Sequence, residues 1–212
     1  MVENLNCLIS AGPTREWIDP VRFISNPSSG KMGYALAKEA YIRNFNVKLI
    51  SGPVTIPLIK GVDTTFVETS KEMYRAMLAE FSKADIVIMC AAVCDHRPKK
   101  IWREKIKKHE FPKTVEFEKT DDILYELGKN KGKNQKLIGF AAETENCENN
   151  AIDKLKRKNL DWIALNDISK QGIGFQSDFN QLTLFSRDKR EILLEHSSKE
   201  KLAKLFFEKI IK

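Results

Sequence analysis

Short apolar runs alternate with stretches of helical spacing along most of the chain. Residues 7–9, 47–50, 86–90, 137–140 and 162–165 are short, mostly apolar runs, interrupted only by Lys48 and Gly139, the pattern of buried strands. Between them, residues 31–43, 71–83, 122–129 and 147–158 place apolar side chains at i, i+3 and i+4, which predicts amphipathic helices. Near the end the period changes. Residues 181–185 and 191–194 flank the polar turn 186–190 and predict a hairpin, and residues 199–211 predict a closing amphipathic helix. The charged, aperiodic stretch 98–112 predicts a long mobile loop. Loops of that length inside compact domains are usually functional or disordered.

Strand–helix alternation predicts an α/β fold: a Rossmann-like, mostly parallel sheet with helices on both faces and a C-terminal antiparallel hairpin. Connections in such sheets are right-handed, and ligands collect at the carboxyl ends of the strands. No repeat, low-complexity tract or linker divides the 212 residues, so one domain spanning 1–212 is expected.

Composition narrows the classes. At 42% apolar the chain can bury a sizeable core, and no apolar run approaches the roughly 20 residues that cross a bilayer. An acid and asparagines precede the first short apolar run, unlike a signal peptide. A soluble, cytoplasmic protein without a membrane partner is expected. The net charge of +7 invites a nucleic-acid reading, but 36 basic residues are interleaved with 29 acids. Most therefore read as solvated helix faces, and no nucleic-acid partner is expected. A modest positive excess also suits an enzyme of phosphate substrates. Cys7, Cys90, Cys94 and Cys147 lack zinc-ligand spacing and read as ordinary thiols of a reducing compartment.

Candidate chemistry sits where strands end. The first strand runs into Ser10-Ala11-Gly12-Pro13-Thr14, and Asn26-Pro27-Ser28-Ser29-Gly30-Lys31-Met32-Gly33 opens the first helix. Small residues there let backbone N–H groups and the helix dipole meet a phosphate; the plainer reading is ordinary capping by Ser28 or Ser29. A Walker loop is excluded, since Gly30-Lys31 is followed by Met32. A dinucleotide fingerprint is excluded too, because the second strand ends Ser51-Gly52-Pro53 without a ribose-binding acid. The third strand enters Cys90-Ala91-Ala92-Val93-Cys94-Asp95, where small side chains leave backbone open to a ligand. Asp95 can accept from a base amino group, hold a metal or cap a turn. Lys105-Ile106-Lys107-Lys108 on the loop is a solvated basic run or a lid that brings ammonium groups onto phosphate. Phe140, in Gly139-Phe140-Ala141-Ala142-Glu143-Thr144, is core or a stacking face for a base. Lys154 and Lys158 share a helix face, as solvent face or as a pair aimed at a triphosphate, and Asn166-Asp167 marks another polar strand end.

In order, Ala11-Gly12-Pro13-Thr14-Arg15-Glu16, Asp19-Pro20-Val21-Arg22-Phe23-Ile24-Ser25-Asn26 and Ser28-Ser29-Gly30-Lys31-Met32-Gly33 closely resemble the amino-terminal signature of bacterial phosphopantothenate–cysteine ligases. Ala91-Ala92-Val93 with Asp95, Lys105-Ile106-Lys107-Lys108, Gly139–Thr144 and Asn166-Asp167 follow in the same order, as far as a hairpin after Gly174-Phe175. Each motif alone is weak; the ordered set is specific.

The resemblance implies a CTP-dependent ligation in coenzyme A synthesis. The phosphopantothenate carboxylate attacks the α-phosphate of CTP to give an acyl-cytidylate and pyrophosphate, and the amine of cysteine then displaces CMP. Mg²⁺ would neutralise the triphosphate. By position, Asn26 handles the acyl intermediate, and Lys105 is the catalytic lysine, also meeting the nucleotide; a neutral amide such as that of Asn26 can donate to an acyl carbonyl while its oxygen accepts. Ala91, Asp95, Asp121, Asp122, Ile123, Leu124, Phe140, Lys154 and Lys158 fall at CTP-contacting positions. Ser28, Ser29, Gly30, Ala91 and Ala92 join Asn26 around the substrate, and Arg22 stands where an arginine from a neighbouring subunit holds the phosphopantothenate phosphate, implying a homodimer. Metal ligands are not implied by any motif.

The chain departs from that pattern in places. Thr120-Asp121-Asp122 replaces the usual Asn-Pro-Asp, and Cys94 and His96 stand where a small and an aromatic residue are common. Many bacterial relatives carry this domain behind a flavin decarboxylase that these residues do not include. The alternatives are an ATP-dependent version of the same ligation, a Rossmann-type reductase, which the missing fingerprint disfavours, and a basic nucleic-acid-binding protein.

Overall fold

The computed structural model describes residues 5–169 and 176–211; Gly174 and Phe175 lie outside them. In chain order the elements are β1 (Asn6–Ala11), β2 (Arg15–Asp19), β3 (Arg22–Ser25), α1 (Lys31–Ile42), β4 (Asn46–Ser51), β5 (Asp63–Phe66), α2 (Ser70–Phe81), β6 (Ile86–Met89), β7 (His96–Pro98) and β8 (Phe117–Lys119). They continue with α3 (Ile123–Lys129), β9 (Lys136–Glu143), α4 (Cys147–Arg157), β10 (Trp162–Asp167), β11 (Phe179–Ser186), β12 (Glu191–Ser198) and α5 (Lys199–Ile210). An eight-stranded sheet runs β12-β11-β10-β9-β6-β1-β4-β5. From β5 to β10 it is parallel, and β11 and β12 add the antiparallel pair. This is the Rossmann-like sheet with an added hairpin that the periodicity predicts.

Alternation of side chains sorts the core into two layers. Ile9, Ile88, Ala164 and Leu184 face α1 and α5, where Leu36, Phe206 and Phe207 cover them. Leu8, Val87, Leu137 and Ile163 face α2, α3 and α4, against Met73, Met77, Leu127 and Leu155. Ile86–Met89 is buried throughout, hence its reading as one apolar run. Helix ends follow local chemistry. Thr69 and Glu72 form a reciprocal capping box on α2, Asp122 caps α3 through its side chain, and Ser198 caps α5.

The structure adds strands that the apolar pattern missed. β5 reads Asp-Thr-Thr-Phe at the sheet edge, and none of its residues is fully buried, so it has no apolar run to detect. The stretch after β1 folds as the β2–β3 hairpin, paired from Arg15–Ser25 to Asp19–Arg22. The loop 98–112 is a second correction: it is fastened, not free. Its stem is the β7–β8 pair, Trp102 N–H donates to Ile18 O at 2.9 Å, and Ile106 is only 8% exposed. The buried carboxylate of Asp19 accepts from Ile106 N–H at 3.3 Å, while the Arg22 guanidinium donates to Ile106 O at 2.6 Å. Arg22 also pairs with Asp19 at 3.1 Å and lies over the Phe111 ring. Hairpin and loop together form an arm beside the sheet.

Candidate active site

The chain reverses direction across the sheet at β1 and β6: β4 lies on one side of β1 and β6 on the other. Beyond such a switch point the loops part and leave a crevice at the carboxyl ends of the strands. A cavity of about 310 Å³ opens there.

Its floor is the segment after β6, held by polar side chains from the end of β1. Ser10 Oγ accepts from Cys90 and Ala91 N–H at 3.2 and 3.1 Å, and Thr14 Oγ1 accepts from Cys94 N–H at 2.9 Å. Both Ser10 and Thr14 are fully buried. Asn26 Nδ2 donates to Ala92 O and Val93 O, each at 3.1 Å. An amide nitrogen carries two hydrogens, and both are directed at backbone here. Donation to an acyl carbonyl, as expected from the chemistry of the amide, therefore requires Asn26 to give up one of these bonds; its oxygen is the atom suited to a ligand donor.

One wall is the start of α1. Gly30 caps the helix at φ 78°, without a side-chain cap, a conformation that only glycine adopts readily. Ser28 Oγ accepts from Gly30 N–H at 3.3 Å and so lies outside the helix, correcting the reading of Ser28 or Ser29 as its cap. Gly33 is needed for proximity: a Cβ there would sit 2.5 Å from the Ala11 Cβ. The first turn thus presses against β1 with its amides and positive dipole end toward the cavity, a ready anion site.

The opposite wall belongs to α3 and α4. Asp122 accepts from Tyr125 N–H at 3.0 Å through one oxygen and pairs with Lys158 through the other. Lys154 Nζ donates to Phe140 O at 2.9 Å. Burial lowers the proton affinity of Lys154, with Glu143 and Asp95 pulling it back up. Burial likewise lowers Lys158, opposed by Asp95. Both ammonium groups thus feel Asp95, which is exposed on the cavity rim. Phe140 belongs in part to the core. Its ring stacks on Phe206 at 5.9 Å in the core and also lines the cavity.

A model of the DNA/pantothenate metabolism flavoprotein C-terminal domain matches residues 2–212. The chain belongs to this family. It is 47% identical over 194 residues to the coenzyme A biosynthesis bifunctional protein CoaBC of Bacillus subtilis, covering 90% of this chain and 48% of that protein. It is 44% identical over 214 residues to the protein of the same name from Escherichia coli K12, covering 99% and 52%. The crystal structure of the C-terminal domain of a coenzyme A biosynthesis bifunctional protein CoaBC superposes with a TM-score of 0.83 at 40% identity, covering 97% of this chain and 93% of that one. The chain spans about half the length of the curated relatives it matches.

In this family member the sheet edge gathers most of the sequence-predicted residues. Asn26, Ser28, Gly30, Ala91, Ala92 and Asp95 line the cavity, as do Asp121, Asp122, Ile123, Leu124, Phe140, Lys154 and Lys158. Arg22, Ser29 and Lys105 do not. Lys105 is exposed on the arm beside the buried anchor Ile106. Sequence reasoning named Ser10 and Thr14 within their segment but not their role in shaping the floor, and it missed Asn180 and Lys199, which line the cavity from β11 and α5. The available signal was a polar residue at a core-facing position of an otherwise apolar element. Among the described residues no helix is long and apolar enough to cross a membrane. No group of three or more His, Cys, Asp or Glu there is placed to hold a metal ion.

Proposed function

We propose that this chain carries the phosphopantothenate–cysteine ligase activity of coenzyme A synthesis, using CTP and working as a cytoplasmic homodimer. One observation carries the reading. One cavity is lined by an aromatic ring, acids and lysines (Phe140, Asp95, Lys154, Lys158), by a helix start without a side-chain cap and by the Asn26-held floor. These are groups suited to a base, a phosphate and an acyl group of one ligand. The names of its relatives, coenzyme A biosynthesis proteins at 44–47% identity, support the same pathway.

In the first step a carboxylate oxygen of phosphopantothenate forms a bond to the α-phosphorus of CTP, and the bond to the β-phosphate oxygen breaks, releasing pyrophosphate. The α1 amides and Lys31 receive phosphate charge, and Asp95 accepts from the cytosine amino group. In the second step the cysteine amine attacks the acyl carbon, CMP leaves with the electron pair of the acyl–oxygen bond, and the ammonium proton passes to solvent. Asn26 holds the Ala92–Val93 floor under the acyl group, with its oxygen placed to accept from the attacking amine. The acyl-nucleotide is hydrolysable, so a dry site is required, and Lys105 on the arm is the group that closes it and adds charge. Mg²⁺ bound to the triphosphate neutralises charge. Three separate acids on the rim (Asp95, Asp121, Asp122), with no preformed cage among the described residues, fit a metal held mainly by phosphates and water.

The arm also supports a dimer. Val21, Phe23, Ile101 and Phe117 are 55%, 40%, 60% and 45% exposed on it, an apolar surface of the kind that marks an interface. Arg22 retains unused donors beyond its bonds to Asp19 and Ile106, available to a neighbour's phosphate.

The test is pyrophosphate release with and without phosphopantothenate, run on CTP and ATP side by side, with the molecular mass in solution by light scattering. Release that requires phosphopantothenate and favours CTP, from a dimer, is expected. Release independent of phosphopantothenate would overturn the ligation, and full activity from a monomer would overturn the shared site.

A further inference from the structure

One part of the cavity lining has no role in the reading above. Three elements converge on it. Asn166 closes β10, Asn180 opens β11 and Lys199 begins α5; they are 8%, 4% and 4% exposed, so each is more than nine-tenths buried while lining the cavity. The Asn166 Oδ1 atom is buried without a hydrogen-bond partner. By strand alternation Asn166 follows Trp162 and Ala164 onto the α1–α5 face, beside the uncapped start of α1.

Charge gathers at the same place. Burial lowers the proton affinity of Lys199, and the Lys31 ammonium lowers it further, while Cys90, Asp178 and Glu200 act in the opposite sense. The Cys90 thiol, pushed up to about 12 by burial with Lys199 opposing, remains neutral. Asp178 pairs with Lys31 and its backbone oxygen accepts from Lys199 N–H at 3.1 Å. Lys31 and Lys199 both line this part of the cavity, next to a positive helix end, a setting that favours an anion. The Asn180 oxygen accepts from Gln181 N–H at 2.9 Å, which leaves its –NH₂ end to donate to a phosphate oxygen; the Asn166 amide, turned one way, donates likewise and, turned the other, accepts from water carried with the ligand.

We propose that Lys199, with Lys31, Asn166 and Asn180, forms the pocket for the two terminal phosphates of the nucleotide, and so receives pyrophosphate as it departs. The inference rests on the nucleotide-activated ligation proposed above. As the bond between the α-phosphorus and the bridging oxygen breaks, its electron pair moves onto the pyrophosphate, and a fixed cation there stabilises that charge.

Lys199→Met and Asn166→Asp test it, the first removing a cation and the second adding a repelling carboxylate. Competitive inhibition by pyrophosphate against CTP is expected to weaken by about tenfold or more in both, with inhibition by CMP and the KM for phosphopantothenate within about twofold of the parent. Lys199→Arg should retain pyrophosphate inhibition. Unchanged pyrophosphate inhibition, or a parallel loss of all three constants with a lowered Tm, would overturn the proposal. A selective rise in the phosphopantothenate KM would also overturn it, by showing that the acyl substrate's phosphate occupies this wall. Calorimetric titration of the same proteins with pyrophosphate separates the two readings. An inactive parent that binds pyrophosphate through Lys199 defeats the ligation alone, whereas an active parent whose pyrophosphate binding ignores Lys199 defeats this pocket alone.

Discussion

The sheet edge and the arm carry site residues in opposite ways. At the sheet edge Asn26, Ser10 and Thr14 tie loops to backbone, and the cavity is assembled by elements buried on both faces. On the arm, Arg22 and the buried Asp19 tie the loop to its hairpin, yet Lys105 remains in solvent outside the cavity. A packed core positions a binding site without help. A group that must arrive after substrate belongs on a segment with few core contacts. Under the proposed ligation, binding belongs to the edge and closure to the arm.

The largest effect should come from the arm. Lys105→Gln is expected to lower turnover roughly 10²-fold or more with nucleotide affinity little changed, while Lys107→Gln stays near the parent; equal, mild effects in steady-state kinetics would reduce the run to a solvated surface. Next is the floor. Asn26→Asp sets a carboxylate against two carbonyl oxygens, and amide formation should fall about 30-fold, or about 2 kcal/mol. Pyrophosphate release should persist, so that acyl-nucleotide is trapped in a quench and seen by mass spectrometry. A parallel loss in both steps would leave Asn26 only a structural tie. At the edge, CTP should outperform ATP at least tenfold in kcat/KM, about 1.4 kcal/mol, and Asp95→Ala should narrow that ratio; equal specificity constants would remove the base slot.

The smallest effect concerns how the arm is fastened. Burial raises the Asp19 carboxyl, but N–H donors of Val21, Ile106 and Arg22 and the Arg22 guanidinium outweigh it and hold it below the usual carboxylate range. With the folded value below the unfolded one near 3.9, Asp19 contributes stability above that pH and loses it as pH falls through the folded value. Limited proteolysis within residues 98–112 should therefore accelerate below about pH 4. Asp19→Asn should show raised cleavage already at neutral pH; an acid-independent cleavage rate in the parent would show that the arm is held by other contacts.

The motif residues at the cavity were legible because strand ends carry them, and a parallel sheet brings successive carboxyl ends to one edge. Asn180 and Lys199 were not, since each sits in a segment whose period describes only its apolar partners. The clasp on the loop was hidden for a related reason. Its anchor, Ile106, is one apolar residue in a basic run, and Asp19 lies 87 positions away.

By itself the sequence determined the strand–helix order, the hairpin, the helix starts at Thr69, Asp122 and Ser198 and the places where backbone would open to a ligand, because these depend on neighbours within a few residues. Tertiary structure decided the edge strand β5, the arm, the direction of both Asn26 hydrogens and the cavity that Lys31 and Lys199 share. Each depends on groups far apart in the chain that share one buried volume, where an unpaired polar atom costs about 1–3 kcal/mol. Pairing there is set by which elements pack together, and periodicity carries no record of it.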